Sequence, residues 1–541
     1  MQHQLHYYQP DRITPTDETV ATDLCVYGGT AAGVAAAVTA VRLGLRAVLL
    51  QPGGHLGGMT SGGLGWTDHG RKYVIGGLAR RFYQDVGQHY GMDEEWRFEP
   101  HVAEAVFEAW AADVDLDVRR NQFLDRVQMD GQRIAQIQLQ GGLTVKARMF
   151  IDATYEGDLL AHAGVQHRIG REANGEYGET LNGIQVHPKH QFDHPVDPWN
   201  TPGDPTSGLL PGIENEDLSQ RQGEGDDRVQ AYNFRVCMTD DPDLKIDWVR
   251  PEGFDDRLYE LARRWFAGPK EQVNEPLQRV HERLGVYVPR KFDVLPHLTP
   301  AGYHKTDTNN HGAVSSDFIG ANWAWPAASY EERERIFQAH VRYQQGLYWV
   351  IANDPAIPAA YREAYHHWGL ARDEFTNTAH WPHQLYVREA RRMVGDYVIT
   401  EADCMGTSRP EDPVGMASYQ LDSHNCTRFV KVEDGQARVL NEGDVQVPPT
   451  APYPISYRAI VPRRGECANL FVPVCMSASH IAYGSARMEP VFMVLGESAA
   501  IAADTCLQLK CDAQALPYDA LRPRLLAANQ VLALPDPLPV D

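Results

Sequence analysis

The first strong pattern along the chain is a short apolar run, Leu24–Tyr27, that meets a glycine-rich turn holding Gly28, Gly29 and Gly33. An alanine- and valine-rich stretch follows, Gly44 ends it, and a second apolar run covers Ala47–Leu50. Short, continuous apolar runs bounded by glycine read as strands buried on both faces, and the stretch between them reads as a crossover helix. The pattern therefore predicts a βαβ unit over residues 23–65. Further along, Phe98–Trp110 has helical spacing. Asp117–Asn121, Arg126–Met129 and Ile134–Gln140 read as strands around the turn at Asp130–Gly131. Met149–Ala153 is a last apolar strand that runs into DATYEGDLL. Residues 193–227 are rich in Pro, Gly, Asp and Glu without periodicity, which predicts a long surface loop or lid. Ser329–Ala352 predicts a long amphipathic helix with Ser329 ahead of Glu331 and Glu332. Near the end, Leu470–Cys475 reads as a buried strand, residues 477–485 as a loop of small polar residues, and Arg487 onward as a helix. There are no internal repeats.

The βαβ unit has the chemistry of a dinucleotide site. Gly28 permits the tight strand-to-helix turn, and Gly33 lets the helix pack close to the sheet. The free N–H groups of the first helical turn, around Ala31 and Ala32, then face a pyrophosphate, and the helix dipole favours its charge. Thr30 stands where the GxGxxG pattern has its middle glycine, and its hydroxyl is a candidate phosphate donor. Gln51, at the end of the second strand, replaces the usual acidic residue and can accept from a ribose hydroxyl through its amide oxygen. No arginine follows it, so NADP is not suggested. The alternative reading is an ordinary glycine-rich turn.

The strand, loop and helix of 470–505 supply a second half. A helix N-terminus aimed at the pyrimidine end of an isoalloxazine stabilises the charge that a reduced flavin accumulates there. The antiparallel excursion over 117–153 also suits a flavin-type dinucleotide fold better than a two-halved NAD fold. Cofactor contacts are expected from Gly28, Gly29, Thr30, Ala31, Ala32, Gly33, Gln51, Pro52, His55, Gly57, Gly58 and Met59 in the first unit. Leu124, Ala153, Thr154, Gly157 and Asp158 are expected to join them, with Ser485, Arg487 and Met488 from the last segment. The alternative is that residues 486–505 are only a buried core helix.

Composition changes this picture little. The 541 residues are 43% hydrophobic and 23% charged, ordinary for a globular protein. A net charge of −22 argues against nucleic acid and anionic membrane surfaces as partners. No signal-peptide pattern opens the sequence, and no window has the apolar length of a membrane span. The eight cysteines form no CxxC pair and no zinc or iron–sulfur spacing, which predicts free thiols in a reducing cytoplasm. It also disfavours a disulfide-exchanging flavoenzyme. There is no HExxH, and the histidines lack paired spacing, so no metal is expected.

The segments VYGGTAAGVAAAVTAVRLG, QPGGHLGGMTSGGLGW, DATYEGDLLAHAGV, YNFRVCMT, KTDTNNHGAVSSDFIG, LYVREARRMVGDYVIT, YQLDSHN, ISYRAIVP and SASHIAYGSARMEPVFMVLGESAA resemble a bacterial family of FAD-dependent oxidoreductases. That family has the glutathione-reductase-type FAD fold, and some members carry the label xanthan lyase. The match runs from about residue 23 to residue 505. It departs from the family at GGTAAG, where GGTPAG is usual, and at Gln51, where glutamate is usual. The resemblance implies FAD and an α/β fold: a Rossmann-like FAD domain with an inserted α+β substrate or cap domain. The expected divisions are 20–170 and 451–510 for the FAD domain, 171–380 for the cap, 381–450 for a return segment at the domain interface, and 511–541 for a C-terminal extension.

Four polar constellations are candidates for chemistry. In Tyr386–Arg392, helical spacing would put Arg388, Arg391 and Arg392 near one face with Glu389 pairing Arg392, either as a clamp on substrate or as an ion-pair network between domains. The run Lys305–Gly312, with Asp307 and His311, reads as a solvated loop, and the resemblance makes it a site candidate. In Asp422–Asn425, Asp422 is close enough in sequence to orient His424. His480, in the loop placed against the flavin, is the first choice for proton transfer. His55 also precedes a glycine pair, as histidines that tether flavin covalently do in some related proteins. The expected reaction is hydride transfer to flavin N5 from a C–H bond next to a hydroxyl or amine of a small polar substrate, such as a sugar or sugar-derived acid. A lyase, isomerase or hydratase without net redox change, or a catalytically silent flavin-binding protein, are the alternatives. The identity of the electron acceptor and any homo-oligomeric assembly are left open.

Overall fold

The computed structural model describes residues 5–268 and 303–534. Its central sheet begins with strand β1, Thr19–Tyr27, then helix α1, Ala31–Arg42, and strand β2, Ala47–Gln51. Helices α2, Gly77–His89, and α3, Pro100–Asp113, lead into β3, Asp117–Arg120. The excursion is β4, Leu124–Asp130, and β5, Arg133–Leu139, and β6, Thr144–Asp152, returns. The spatial order is β3-β2-β1-β6-β5-β4, with the short strand Leu470–Phe471 added beside β6. β1 runs parallel to β2 and β6, β2 runs parallel to β3, and β4, β5 and β6 pair antiparallel.

The sequence patterns explain this arrangement. Leu24–Tyr27 and Val48–Leu50 are buried throughout, as parallel strands covered on both faces must be. Every residue of α1 from Ala31 to Ala40 is buried as well. The helix is held between the sheet and the long helix Glu489–Leu509, and small side chains on both allow the axes to approach. A Cβ on Gly496 would collide with the Ala32 carbonyl, and one on Gly33 with the Gly28 carbonyl. Helix Glu489–Leu509 is apolar and long enough to cross a membrane, yet 94% of its apolar window is buried inside the protein.

The middle of the chain shares one buried core with the first unit, Phe234 and Phe337 lying in the same cluster as Val26 and Val34. A small antiparallel sheet joins Lys305–Thr306, Met238–Thr239, Gly369–Ala371 and Lys245–Ile246. The helix Tyr330–Asn353 is capped by the Ser329 hydroxyl and buries Ile336, Phe337, Val341 and Leu347 in that core. The 193–227 segment is irregular, with aspartates 204 and 217 capping single 3-10 turns.

Two elements differ from the sequence pattern. Residues 480–486 form a helix, His480–Ala486, where a loop was expected, because the Ser479 hydroxyl caps it by accepting from the Ala482 N–H. The 386–391 stretch is extended and irregular, not helical. Arg392 and Glu389 still pair at 2.7 Å, because tertiary packing brings together what helical spacing was expected to.

Candidate functional site

The turn after β1 is built as the sequence requires. Gly28 has φ +105°, and a Cβ there would sit 2.7 Å from the Ala153 carbonyl carbon and the Thr154 nitrogen. Only glycine fits both the angle and the approach. The Gly29 N–H donates to the Gln51 amide oxygen at 2.6 Å, and the Gly57 N–H donates to the Gly29 carbonyl at 2.8 Å. These bonds tie the two glycine clusters together across the end of β2. The Thr30 hydroxyl, expected as a phosphate donor, instead donates to the Ala153 carbonyl at 2.7 Å and accepts from the Gly33 N–H at 3.3 Å. It caps α1 and pins the turn to the end of β6, so it holds the cradle rather than its contents.

A cleft of about 1120 Å³, open solvent included, runs over this turn. Gly28, Thr30, Gln51, Pro52, His55, Gly58, Thr154 and Asp158 of the expected set line it. Gly29, Ala31, Ala32, Gly33 and Gly57 support it from the turn and the first turn of α1. Ala153 lends its carbonyl to Thr30, and Gly157, at φ +68°, starts the short helix α4, Asp158–His162. Leu124 is buried among Tyr27, Leu50 and Ile137, while its neighbour Phe123 faces the cleft. The Met59 N–H donates at 2.8 Å to the Tyr155 hydroxyl, which donates at 2.7 Å to Glu489, the first residue of the long apolar helix. Thr60 donates to the other Glu489 oxygen at 2.7 Å, so the C-terminal helix begins against the second glycine cluster.

Electrostatics at the cleft is set by burial. It pushes the Glu156 carboxyl up to about 7, against the pull of Arg333, and Glu156 lines the cleft with the Trp325 indole N–H 3.3 Å from its Oε1. Burial also acts on Asp158, but the Arg333 and Arg391 guanidiniums outweigh it and hold the carboxyl at about 2. Arg391 reaches Asp158 at 2.8 Å and the Glu156 carbonyl at 2.9 Å. Neither Glu156 nor Arg333 was among the sequence candidates. Glu156 sits inside the DATYEGD segment, and its burial was the missing signal.

Most of the other candidates are held in buried polar networks that do not line the cleft. His424 Nδ1 lies 2.8 Å from Asp317 and its Nε2 lies 3.5 Å from Asp422. The closer orienting carboxylate is therefore Asp317, 107 residues away in sequence. Arg388 pairs with Asp317 at 2.9 Å and Arg487 with Asp422 at 3.1 Å, and both guanidiniums flank the Tyr386 ring. His480 has both ring nitrogens engaged, with Glu389 at 2.7 Å and the Ser423 hydroxyl at 3.1 Å. Arg392 joins Glu389 to Glu172 at 2.7 Å each. Ser485 donates to the Tyr419 carbonyl, and Met488 caps the long helix inside the core. Asp307 pairs with Arg235 at 2.7 Å and accepts from the Gly65 N–H at 3.1 Å, which puts it at the end of the second glycine cluster. Burial pushes its carboxyl up to about 6 despite Arg235. His311 stands edge-on to His190, 5.6 Å between ring centres. Among the described residues one cluster, Glu99, His101 and Glu374, has ligand-like spacing. The Lys305 ammonium already bonds Glu99 and Glu374 at 2.6 and 2.9 Å.

Residues 23–525 match the family described as FAD dependent oxidoreductase. The chain belongs to that family. No curated protein matches it. The anhydrotetracycline hydroxylase OxyS from Streptomyces rimosus is similar at 11% identity over 32% of this chain and 41% of that one, with a TM-score of 0.24. The L-proline dehydrogenase from P. horikoshii is similar at 12% identity over 29% and 59%, also at 0.24. A geranylgeranyl bacteriochlorophyll reductase-like protein from Thermoplasma acidophilum is similar at 17% identity over 28% and 43%, at 0.22. This chain thus spans about half of each. The matches give no support to the xanthan lyase label.

The cofactor of this FAD dependent oxidoreductase is FAD, and the cradle fits it. Gly28, Gly29 and Gly58 have no room for a side chain, since a Cβ would meet the Ala153 backbone, Leu56 and the Tyr155 hydroxyl, and Gly28 and Gly58 line the cleft with bare backbone that a pyrophosphate can approach closely. Gln51 stands at the strand end where ribose hydroxyls are held. Bound FAD supplies an acceptor for an electron pair, and the protein supplies orientation and charge.

Proposed function

We propose that this oxidoreductase takes a C–H bond adjacent to a hydroxyl or amine on a small polar molecule, and that a sugar or sugar-derived acid is the substrate class. The observation that carries this reading is the lining of the cleft beyond the glycine cradle. There the side-chain amides of Asn377 and Gln384 offer uncharged hydrogen-bonding atoms suited to hydroxyls, beside Thr378, whose own hydroxyl donates to the Trp381 carbonyl at 2.7 Å. Glu156 has a carboxyl close to neutrality and is suited to take the proton that a hydroxyl or amine sheds. Eight cysteines without a disulfide among them support a reducing, cytoplasmic setting.

The test is anaerobic mixing of the yellow holoenzyme with a panel of sugars, sugar acids, polyols and amino compounds. A sugar or sugar acid that bleaches the flavin persistently at a saturable rate is the expected result. Turnover without bleaching and without need of an acceptor would point to a lyase or isomerase instead. Bleaching by an apolar substrate alone would sink the proposed class.

A further inference from the structure

The cleft contains a histidine that the protein leaves without partners. His383 lines it, and both ring nitrogens are shielded from solvent and make no hydrogen bond. The other histidines on this wall are engaged: His6 contacts Glu334 at 2.8 Å and His55 contacts Glu104 at 2.7 Å. A shielded nitrogen with no partner is destabilising, and this ring has two. Its orientation is nonetheless well fixed. The ring stacks on His55 at 3.8 Å with planes 8° apart, and Phe375 meets it edge-on at 5.6 Å.

The backbone that carries it is also costly. Phe375, Ala379 and His380 all have left-handed φ angles, of 50°, 57° and 63°. Such angles in residues other than glycine are strained and persist where the surrounding fold imposes them. Gly62 faces this strap from the second glycine cluster. A Cβ on Gly62 would collide with the Gln384 side chain and lie 3.2 Å from His383 Nε2. The absence of a side chain at 62 is what lets the ring lie against the cofactor loop.

We propose that His383 is a cofactor ligand, an imidazole that hydrogen-bonds the FAD held in this cleft. Burial, reinforced by the neighbouring His55 ring, drives its pKa well below the ordinary value. The imidazole is neutral at physiological pH and offers one N–H donor and one lone pair. That suits it to the alternating hydroxyl, carbonyl and ring-nitrogen groups of a flavin dinucleotide, and not to pairing with a phosphate charge. The proposal does not depend on which substrate the enzyme takes.

The test compares His383→Gln with His383→Met, which have similar length and differ in hydrogen-bonding capacity. Two readouts are taken on holoenzyme: the rise in flavin fluorescence as FAD is released on dilution, and the visible absorption bands of the bound flavin. His383→Met is expected to release FAD at least tenfold faster than the native protein and to shift the bands. His383→Gln is expected to stay within about threefold and keep them. His383→Leu replaces the Met variant if the latter does not accumulate as folded holoenzyme. Equal release rates for the polar and apolar variants would overturn the proposal, whether both are fast or both native-like. Failure of every sugar in the bleaching assay would leave this result unaffected.

Discussion

At the scale of single residues, Thr30 shapes the turn under the cleft and Glu156 is its proposed base. Thr30 exchanges closeness of backbone for a rigid turn, since its hydroxyl bonds the end of β6 and caps α1. Thr30→Val is expected to lose about 1–2 kcal/mol of stability, with Thr30→Ser close to native, by thermal melting of the holoenzyme. Glu156 is held near 7 chiefly by burial, so its basic form is populated only as pH rises through that value. Flavin reduction by substrate should accelerate through about pH 7, and Glu156→Gln should be slower by about 10²-fold or more and lose that inflection. Stopped-flow reduction across pH 5.5–8.5 (about three units spanning the inflection) checks both. An unchanged inflection in the variant would assign the proton to another group. These two residues also show how legible the site was. The sequence marked the turn by its glycines, but the Thr30 partner lies on a strand end over a hundred positions away. Glu156 reads as one acidic residue among many until the fold buries it.

At the scale of elements, the packing of α1 against Glu489–Leu509 joins the N-terminal βαβ unit to the C-terminal segment. Gly496 presses on the Ala32 carbonyl in the helix turn nearest the cradle. Gly496→Ala is expected to force the helices apart at about 1–3 kcal/mol and to weaken FAD retention, measured by urea unfolding and by flavin released on gel filtration. Native stability with native FAD content would show that the helices yield without consequence. Element positions were mostly readable, because apolar runs and alanine-rich stretches carry their own periodicity. Helix Tyr330–Asn353 starts at the expected serine cap. The exceptions have physical causes. Helix His480–Ala486 depends on a serine cap amid small residues whose pattern suits loop and helix alike. The 386–391 stretch has helical spacing but is pulled straight by buried partners on several elements, among them Asn233, Asp317 and Asp158.

At the scale of the whole molecule, buried carboxyls make stability depend on pH in an unusual direction. Burial pushes Glu489 and Glu497 up to about 7 from an ordinary value of 4.5. A raised carboxyl favours the folded state in its protonated form. Its contribution is complete below about 4.5 and drains away as pH rises through 7. Asp158 has the opposite sign, since its arginines stabilise the charged form above the ordinary carboxylate range and lose that effect as pH falls toward 2. Between pH 5 and 8 (roughly the span between these limits) Glu489 and Glu497 titrate, as the raised Glu156 does, while Asp158 stays charged. Glu489→Gln should match the native protein near pH 5 and exceed it by about 1–3 kcal/mol near pH 8.5, by urea denaturation. A constant difference at both values would mean that Glu489 does not titrate in that range.

The sequence by itself determined the nucleotide-binding unit, the order of strands and helices around it and, through its matching segments, the FAD dependent oxidoreductase family. Glycine angles, apolar runs and caps are local requirements, so they are written locally. Only the tertiary structure decided which polar residues meet. It gave His424 its Asp317, turned Thr30 away from the phosphate position, engaged both nitrogens of His480 and left His383 alone in the cleft. Those outcomes follow from burial and from contacts between distant segments, and neither has a signature in the spacing of residues along a chain.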